Sequence, residues 1–544
     1  MSDSLKSIKL LSLALTLLIL PAVTFSQYDE TEFEAKDRAI GLEDWRRTEA
    51  YYQECLVIKE LVIRGNYSTE CYTNYHHFNS DSAKNYRPTD NIRWVEMSAF
   101  NLWHPGSKIS GFKDNGIVAK MMNGYDIVAG IELLPSVGAD YNHNQRVKKF
   151  LENAPVEIAK LEKRLLTSNL TRLKERLELY KKDLDAAKSL YRLPGYLALL
   201  DELRKLDPTW SLLLAPSGEA ADEGFVQELV GFYYRGKTVK PKINEHCERF
   251  KKKRHGPSFG CYPKLTKAWF GKSVRQVFSR RPFMASFESG SFDFTLVTSH
   301  IIFRAAAEPA VMERVLGPSF GVSDYRDVGP GTNWNNFARV AEMKIILEIM
   351  EKVRMESNEK DIIFLGDTNL ESKNEIWQQL LPNFPGGELF IEEETTLSTS
   401  YRLSNGRLTN GVASDYDHVI MDLNETSECR KSNGKLSARV ANFLQGSLKD
   451  LIEKKYLIRN KVGFELNASQ EYKRFNLLAD LRKTLEARMT VKRNKVVPDD
   501  LGIEDTISDF DNRVFLSQLS EGTYYRVYRE IISDHFPIYF SCSR

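Results

Sequence analysis

The sequence predicts an α/β fold, because short apolar runs of strand length alternate with helical or loop segments along most of the chain. Several of these runs also end on a polar residue, as strands do where a rigid sheet presents side chains at its rim. Length and composition agree. The 544 residues can bury more than one core, and 42% hydrophobic with 28% charged residues is ordinary for a globular protein. The net charge of +2 excludes a uniformly basic or acidic chain, so affinity for a polyanion must come from local clusters.

At the amino end, Lys6 and Lys9 flank the start of "LLSLALTLLILPAVTF", and Thr24 and Ser26 follow Pro21. This pattern predicts a signal peptide over 1–26, hence a secreted or periplasmic protein without a stable membrane anchor once cleaved. Uncleaved, the same stretch would be nearly long enough to span a bilayer. Six cysteines lie beyond it: Cys55, Cys71, Cys247, Cys261, Cys429 and Cys542. An even number in an exported chain predicts disulfides, and short spacings favour Cys55 with Cys71 and Cys247 with Cys261, leaving Cys429 with Cys542. No CxxC or Cys/His run suggests zinc. Residues 27–90 are polar and aromatic-rich, and read as an N-terminal extension ending in the turn-like "NYRPTD".

The main domain is expected over 91–544. Its strands are "IRWVEMSAFN" (92–101), "DIVAGIEL" (126–133), "ELVGFYYR" (228–235), "FDFTLVTSH" (292–300), "DIIFLGD" (361–367), "YDHVIMD" (416–422) and "DHFPIYF" (534–540). Three long segments interrupt them. Over 144–205, Leu166, Leu170, Leu173, Leu177, Tyr180, Leu184, Ala187 and Tyr191 recur at spacings of three and four, which predicts a helical hairpin or a docked long helix. The segment 237–281 is strongly basic, and its interleaved Phe250, Tyr262, Trp269 and Phe270 suggest rings that stack on bases beside phosphate-binding cations. The third, 423–500, reads as helical and also basic.

The strand ends carry the chemistry. Asn101, Glu132, Glu228, His300, Asp367 with Asn369, Asp417, and Asp534 with His535 form the inventory expected for a divalent cation and phosphate. Magnesium prefers oxygen ligands, which suits Glu132, Asp367, Asn369 and Asp534, and manganese would serve in its place. A histidine oriented by a carboxylate can move a proton near neutral pH, and two such pairs could serve two proton transfers.

In the order "SAFNLW", "YDIVAGIE", "ELVGFYYR", "RRPF", "TSH", "FLGDTN", "TTLSTS", "DYDHV" and "SDHFP", the chain resembles the endonuclease/exonuclease/phosphatase superfamily, which includes deoxyribonuclease I. The resemblance spans residues 92–540 and implies a four-layer α/β/β/α sandwich of the deoxyribonuclease I-like type, here with helical insertions. It further implies Glu132 as the main metal ligand, with Asn101 and Asp534 nearby and Asp367 and Asn369 holding the phosphate or the attacking water. His535 paired with Asp417 would activate water, a role Asp367 could exchange with it, and His300 paired with Glu228 would act as acid or phosphate clamp. Arg280 matches a phosphate-contacting arginine. The resemblance departs at Leu134 and Val226, which stand where deoxyribonuclease I has its minor-groove arginine and its groove-stacking tyrosine.

The expected function is a secreted, divalent-metal-dependent nuclease acting on DNA, with RNA as a second substrate, working as a monomer with little sequence preference. A lipid or inositol phosphodiesterase of the sphingomyelinase type is the alternative within enzymes, with Trp269-Phe270 as its membrane contact. A non-catalytic DNA-binding protein is a third reading. A structural calcium ion has no site legible in the sequence.

Overall fold

Strands that are apolar on both faces need cover on both sides, and that requirement sets the architecture. The computed structural model describes residues 67–544 except 73–74, 85–92, 104–112, 134–138, 168–169, 191–193, 216–227, 250–255, 264–276, 398–402, 405–406, 409–410, 431–433, 445–446, 461–462, 467–523, 526 and 530. The signal segment 1–26, Cys55, Leu134, Val226, the "KKKR" run and Trp269-Phe270 lie outside the described residues.

Two mixed sheets carry the fold. In spatial order, the first contains β1 (Tyr67–Cys71), β2 (His76–Ser80), β5 (Trp210–Leu214), β6 (Leu229–Arg235), β4 (Ile127–Leu133), β3 (Trp94–Asn101), β15 (Ile538–Ser543) and β14 (Arg439–Val440). The second contains β12 (Glu388–Leu389), β13 (Asp417–Met421), β11 (Ile362–Asp367), β10 (Phe292–Thr298), β9 (Phe283–Ser289) and β7 (Lys240–Lys242), with β8 (Gly260–Cys261) also paired to β9. The segment expected as an N-terminal extension thus supplies β1 and β2 to the first sheet.

Between the sheets lies one apolar core, to which the first contributes Met97, Ala99, Ile131 and Phe232 and the second Phe287, Leu296, Leu365 and Val419. The outer face of the first sheet packs on α1 (Asn115–Met122) and α4 (Gly195–Leu206) through Met121, Leu200, Leu212 and Tyr233. The outer face of the second packs on α6 (Pro309–Phe320) and α7 (Phe337–Glu356) through Leu316, Ile346, Ile362 and Phe364. The result is the expected helix–sheet–sheet–helix sandwich. In β11, Ile362, Ile363, Phe364 and Leu365 are all fully buried. Each such side chain contributes about 1.5–3 kcal/mol, which anchors the strand whose end reaches the rim.

All seven expected strands are present with trimmed ends, and the last is shifted to Ile538–Ser543. The shift arises because His535 makes only an isolated bridge, to Thr396. Between 144 and 205, α2 (Ala139–Leu165) and α3 (Thr171–Leu190) pack on each other through Leu161, Leu173 and Leu177. Leu166 and Leu170, expected on that seam, are exposed at 85% and 58% because the chain turns between the two helices there. α4 then leaves the hairpin and joins the sheet.

The described cations in the first part of the basic segment, 237–249, stand at the pole opposite the ends of β10 and β11, whereas Arg280 reaches Glu228 beside His300. Lys237 pairs with Asp207 at 2.5 Å, Lys242 pairs with Asp293, and Arg249, the last residue of α5 (Glu245–Arg249), lies 3.9 Å from Glu356. Tyr262, expected as a stacking ring, is packed between Arg281, 4.8 Å above it, and Phe283. Among its described residues, segment 423–500 is only partly helical, since α8 (Ser447–Tyr456) is flanked by β14 and by a two-stranded hairpin at Leu457–Asn460 and Gly463–Leu466. Disulfides join Cys247 to Cys261 and Cys429 to Cys542, as expected. No helix among the described residues is long and apolar enough to cross a membrane.

At the same far pole, burial together with Glu359, Glu428 and Asp293 pushes Asp361 up to about 8, and burial pushes Glu359 up to about 7. Folded chains hold protons there that unfolded chains have released, so stability falls as pH rises from about 4 to about 8. Asp361→Asn should therefore stabilise the protein by about 1 kcal/mol near pH 8.5, allowing for partial exposure, and change little near pH 4.5. Calorimetric melting at the two pH values checks the difference.

Candidate active site

Glu132 reaches the rim through a fault in the sheet. Along β4, Ile127, Ala129 and Ile131 face the inter-sheet core and Val128 faces the helices, yet Leu133 also faces the helices. The pairing with β6 shifts by one residue between Gly130 and Leu133, so Glu132 is the extra residue of a bulge. Its φ of 58° is left-handed. Among the described residues, the other non-glycine positions with positive φ are Trp103 at 42° and Asn369 at 52°. All three adjoin the same rim, and each costs about 1–3 kcal/mol, held by the surrounding structure.

Asp367 ends β11 opposite Asp417 of β13 and bridges His300 beyond β10. Gly366 makes this possible by close approach rather than by a turn: a Cβ there would sit 2.6 Å from the Ser299 carbonyl oxygen. The turn falls at Asn369, whose backbone N–H donates to Asp367 Oδ1 at 2.9 Å. Its carboxamide, expected to face a phosphate, donates Nδ2 to the Ile301 carbonyl at 2.8 Å and so pins the loop after His300.

Asp367 Oδ2 is the point of convergence. Asn101 Nδ2 donates to it at 3.1 Å and to Glu132 Oε1 at 3.0 Å, while Asn101 Oδ1 accepts from the Trp103 N–H at 3.0 Å. That backbone donor fixes the amide orientation, so Asn101 bridges two carboxylates. His300 Nε2 and His535 Nε2 each stand 3.7 Å from the same Oδ2. Each ring is held from behind: His300 Nδ1 meets Glu228 Oε2 at 2.8 Å, and His535 Nδ1 meets Asp417 Oδ2 at 2.6 Å. Arg280 Nε shares Glu228 Oε2 at 2.7 Å. Asp534 is half-buried beside His535 and belongs to neither of the two groups able to converge on a cation, Glu132–Glu228–His300 and Asp367–Asp417–His535.

The charges interlock. Burial opposes protonation of His535, but Asp417, Asp367 and Asp534 outweigh it and raise its pKa well above the ordinary histidine value. Burial and Arg280 depress His300, and Glu132 with Glu228 reverse this, leaving a net rise. Burial and Asp417 push Asp367 up to about 6 against the pull of the two histidines.

Ser533 stands inside the quoted "SDHFP" with no role assigned to it there, and two supporting residues of α7 had no signal of their own in the sequence. Ser533 donates Oγ to the Asn101 carbonyl at 2.5 Å and accepts from the His535 N–H at 3.1 Å, tying the chain end to β3. Buried Glu342 on α7 accepts the N–H groups of Ser279 at 2.9 Å and Ile302 at 3.3 Å, and burial pushes it up to about 7. Arg339, one turn earlier on α7, donates to the carbonyls of Phe303 and Asn369. Only a helix that packs its polar residues toward a rim could reveal them.

Comparisons with solved structures find chains similar to this one. An endonuclease/exonuclease/phosphatase family protein from Bacteroides thetaiotaomicron is 10% identical, with 84% of this chain and 96% of that chain covered and a TM-score of 0.34. Humanized D. rerio TDP2 is 11% identical over 82% and 98%, with a TM-score of 0.30. A double mutant of beta toxin from Staphylococcus aureus with bound magnesium ions is 11% identical over 64% and 89%, with a TM-score of 0.29. No family model and no curated protein matches. At these scores the likeness assigns no activity to this chain.

Asn101→Asp would set a third carboxylate against Glu132 and Asp367 and remove the donor between them. Stability should fall by about 2–4 kcal/mol at pH 8. The loss should shrink near pH 5, where Asp367 takes up a proton, and urea denaturation at both pH values measures it.

Proposed function

We propose that this protein is an exported phosphodiesterase that cuts nucleic acid, DNA first and RNA second, with a divalent cation as cofactor. The observation that carries the reading is the pair of carboxylate-backed imidazoles aimed at one buried carboxylate oxygen. Phosphodiester hydrolysis needs proton transfer on both sides of phosphorus and positive charge around it. The chain's own groups supply both.

The donor set fits a hard cation. Glu132 offers a carboxylate oxygen from one of the two converging groups, and Asp534, outside both, has an Oδ1 buried without a hydrogen-bond partner among the described residues. Asp367 adds a third carboxylate, and Asn101 holds it beside Glu132. Bound by these residues, magnesium or manganese would neutralise phosphate charge. Asp367, with His300 Nε2 and His535 Nε2 each 3.7 Å from its Oδ2, suits the position that holds the attacking water. His535, kept protonated by Asp417, suits a donor to a phosphoryl oxygen rather than a base. His300, backed by Glu228 and flanked by Arg280, suits the second proton position. The signal pattern of 1–26 and the two disulfides support export.

Supercoiled plasmid incubated with magnesium should be degraded, and EDTA should stop the reaction. His535→Ala should lower kcat about 10²- to 10⁴-fold. Equal rates for wild type and variant would overturn the assignment.

A further inference from the structure

The loop that leaves His300 carries an aromatic ledge that the proposed chemistry does not use. Phe303 is 55% exposed and Trp334 43% exposed, although both are large apolar side chains. Phe303 follows His300 by three residues, so its Cα lies within about 11 Å of that catalytic residue. Neither ring is loose. The Arg339 guanidinium lies 4.3 Å from the Phe303 ring centroid, and Tyr416 meets the same ring edge-on at 6.2 Å. Arg339 also binds the carbonyls of Phe303 and Asn369, so the ring is held in register with the Asp367 turn. Arg304, the next residue, lays its guanidinium 4.1 Å over Trp334.

We infer that Phe303 and Trp334 form a stacking platform for unpaired bases of the strand being cut, so that the enzyme prefers single-stranded or frayed nucleic acid. This rests on the nuclease reading above. Three physical points favour that occupant. A base can lie on a ring only when its own face is free, whereas bases within a duplex are stacked on each other and offer only edges. Rings fixed from below lose little conformational freedom on binding. The exposed Arg304 places a cation at the ledge, complementary to a phosphodiester backbone. The same cation opposes insertion into acyl chains, because it would have to follow the indole into a medium that disfavours charge.

The test compares a single-stranded oligonucleotide with one of equal length and charge carrying abasic spacers, using full-length protein in a magnesium buffer. Wild type should show a KM about tenfold or more lower for the base-bearing strand. Trp334→Ala and Phe303→Leu, the latter keeping apolar cover over Arg339, should each raise KM on that strand about tenfold. Both should leave kcat and abasic cleavage within about twofold and the melting temperature unchanged. An unchanged KM in both variants, with cleavage intact, would remove the ledge from substrate binding while sparing the nuclease reading. If wild type cuts neither strand, the ledge inference falls, and the nuclease reading falls with it only if supercoiled plasmid is left intact as well. Loss of binding to sphingomyelin–phosphatidylcholine vesicles by the variants, without any KM effect on oligonucleotides, would hand the ledge to lipid and overturn the inference.

Discussion

The rim is organised around one constraint: the carboxylate of Asp367 must be kept where almost no water reaches it. It ends a strand buried on both faces and is itself 1% exposed. An unpartnered carboxylate in that position would cost several kcal/mol. The surroundings answer with two imidazoles, a carboxamide and a backbone N–H, and each of these is in turn held by something else. The site is therefore a closed network, and no member can be moved without exposing a buried charge.

That network explains the local strain. Glu132, Trp103 and Asn369 adopt backbone conformations their side chains disfavour, and all three adjoin Asn101 or Asp367 in the chain or by hydrogen bond. The bulge in β4 aims Glu132, and the Asn369 turn folds a backbone donor onto Asp367. The sandwich beneath is what tolerates this, because four fully buried apolar residues of β11 secure the strand before the strained turn begins.

The two ends of the sheets differ in charge character. The far pole carries Asp293, Glu359 and Asp361 against Lys242, with two carboxyls raised in pKa and a disulfide at Cys429–Cys542 beside Glu428. The rim carries its acids already matched to histidine and arginine. Lys237, Lys242 and Arg249 are spent on structural acids at the far pole, so positive charge near the chemistry comes from Arg280, Arg304 and Arg339. Linear clustering and spatial clustering of charge are different things in a protein whose strands run from one pole to the other.

By itself the sequence determined the strands, since burial on both faces leaves an uninterrupted apolar run such as "IIFL" that no polar alternation obscures. It also placed polar residues at or just beyond one end of those strands, because a strand delivers its terminal residues, first or last, to a rim wherever the sheet goes. Asn101, Glu132, Glu228, His300, Asp367, Asp417 and His535 were legible for that reason, and they do meet. Only tertiary structure decided how they meet: that Asn101 bridges two acids, that Asn369 pins a loop, and that Gly366 admits a neighbouring strand rather than a turn. Short strands such as β1, β2 and β7, and the supports Arg339 and Glu342, stayed silent, because their meaning comes from partners tens to hundreds of residues away. Periodicity and strand ends are local properties of a chain, whereas hydrogen-bond partnership across a packed interior is not.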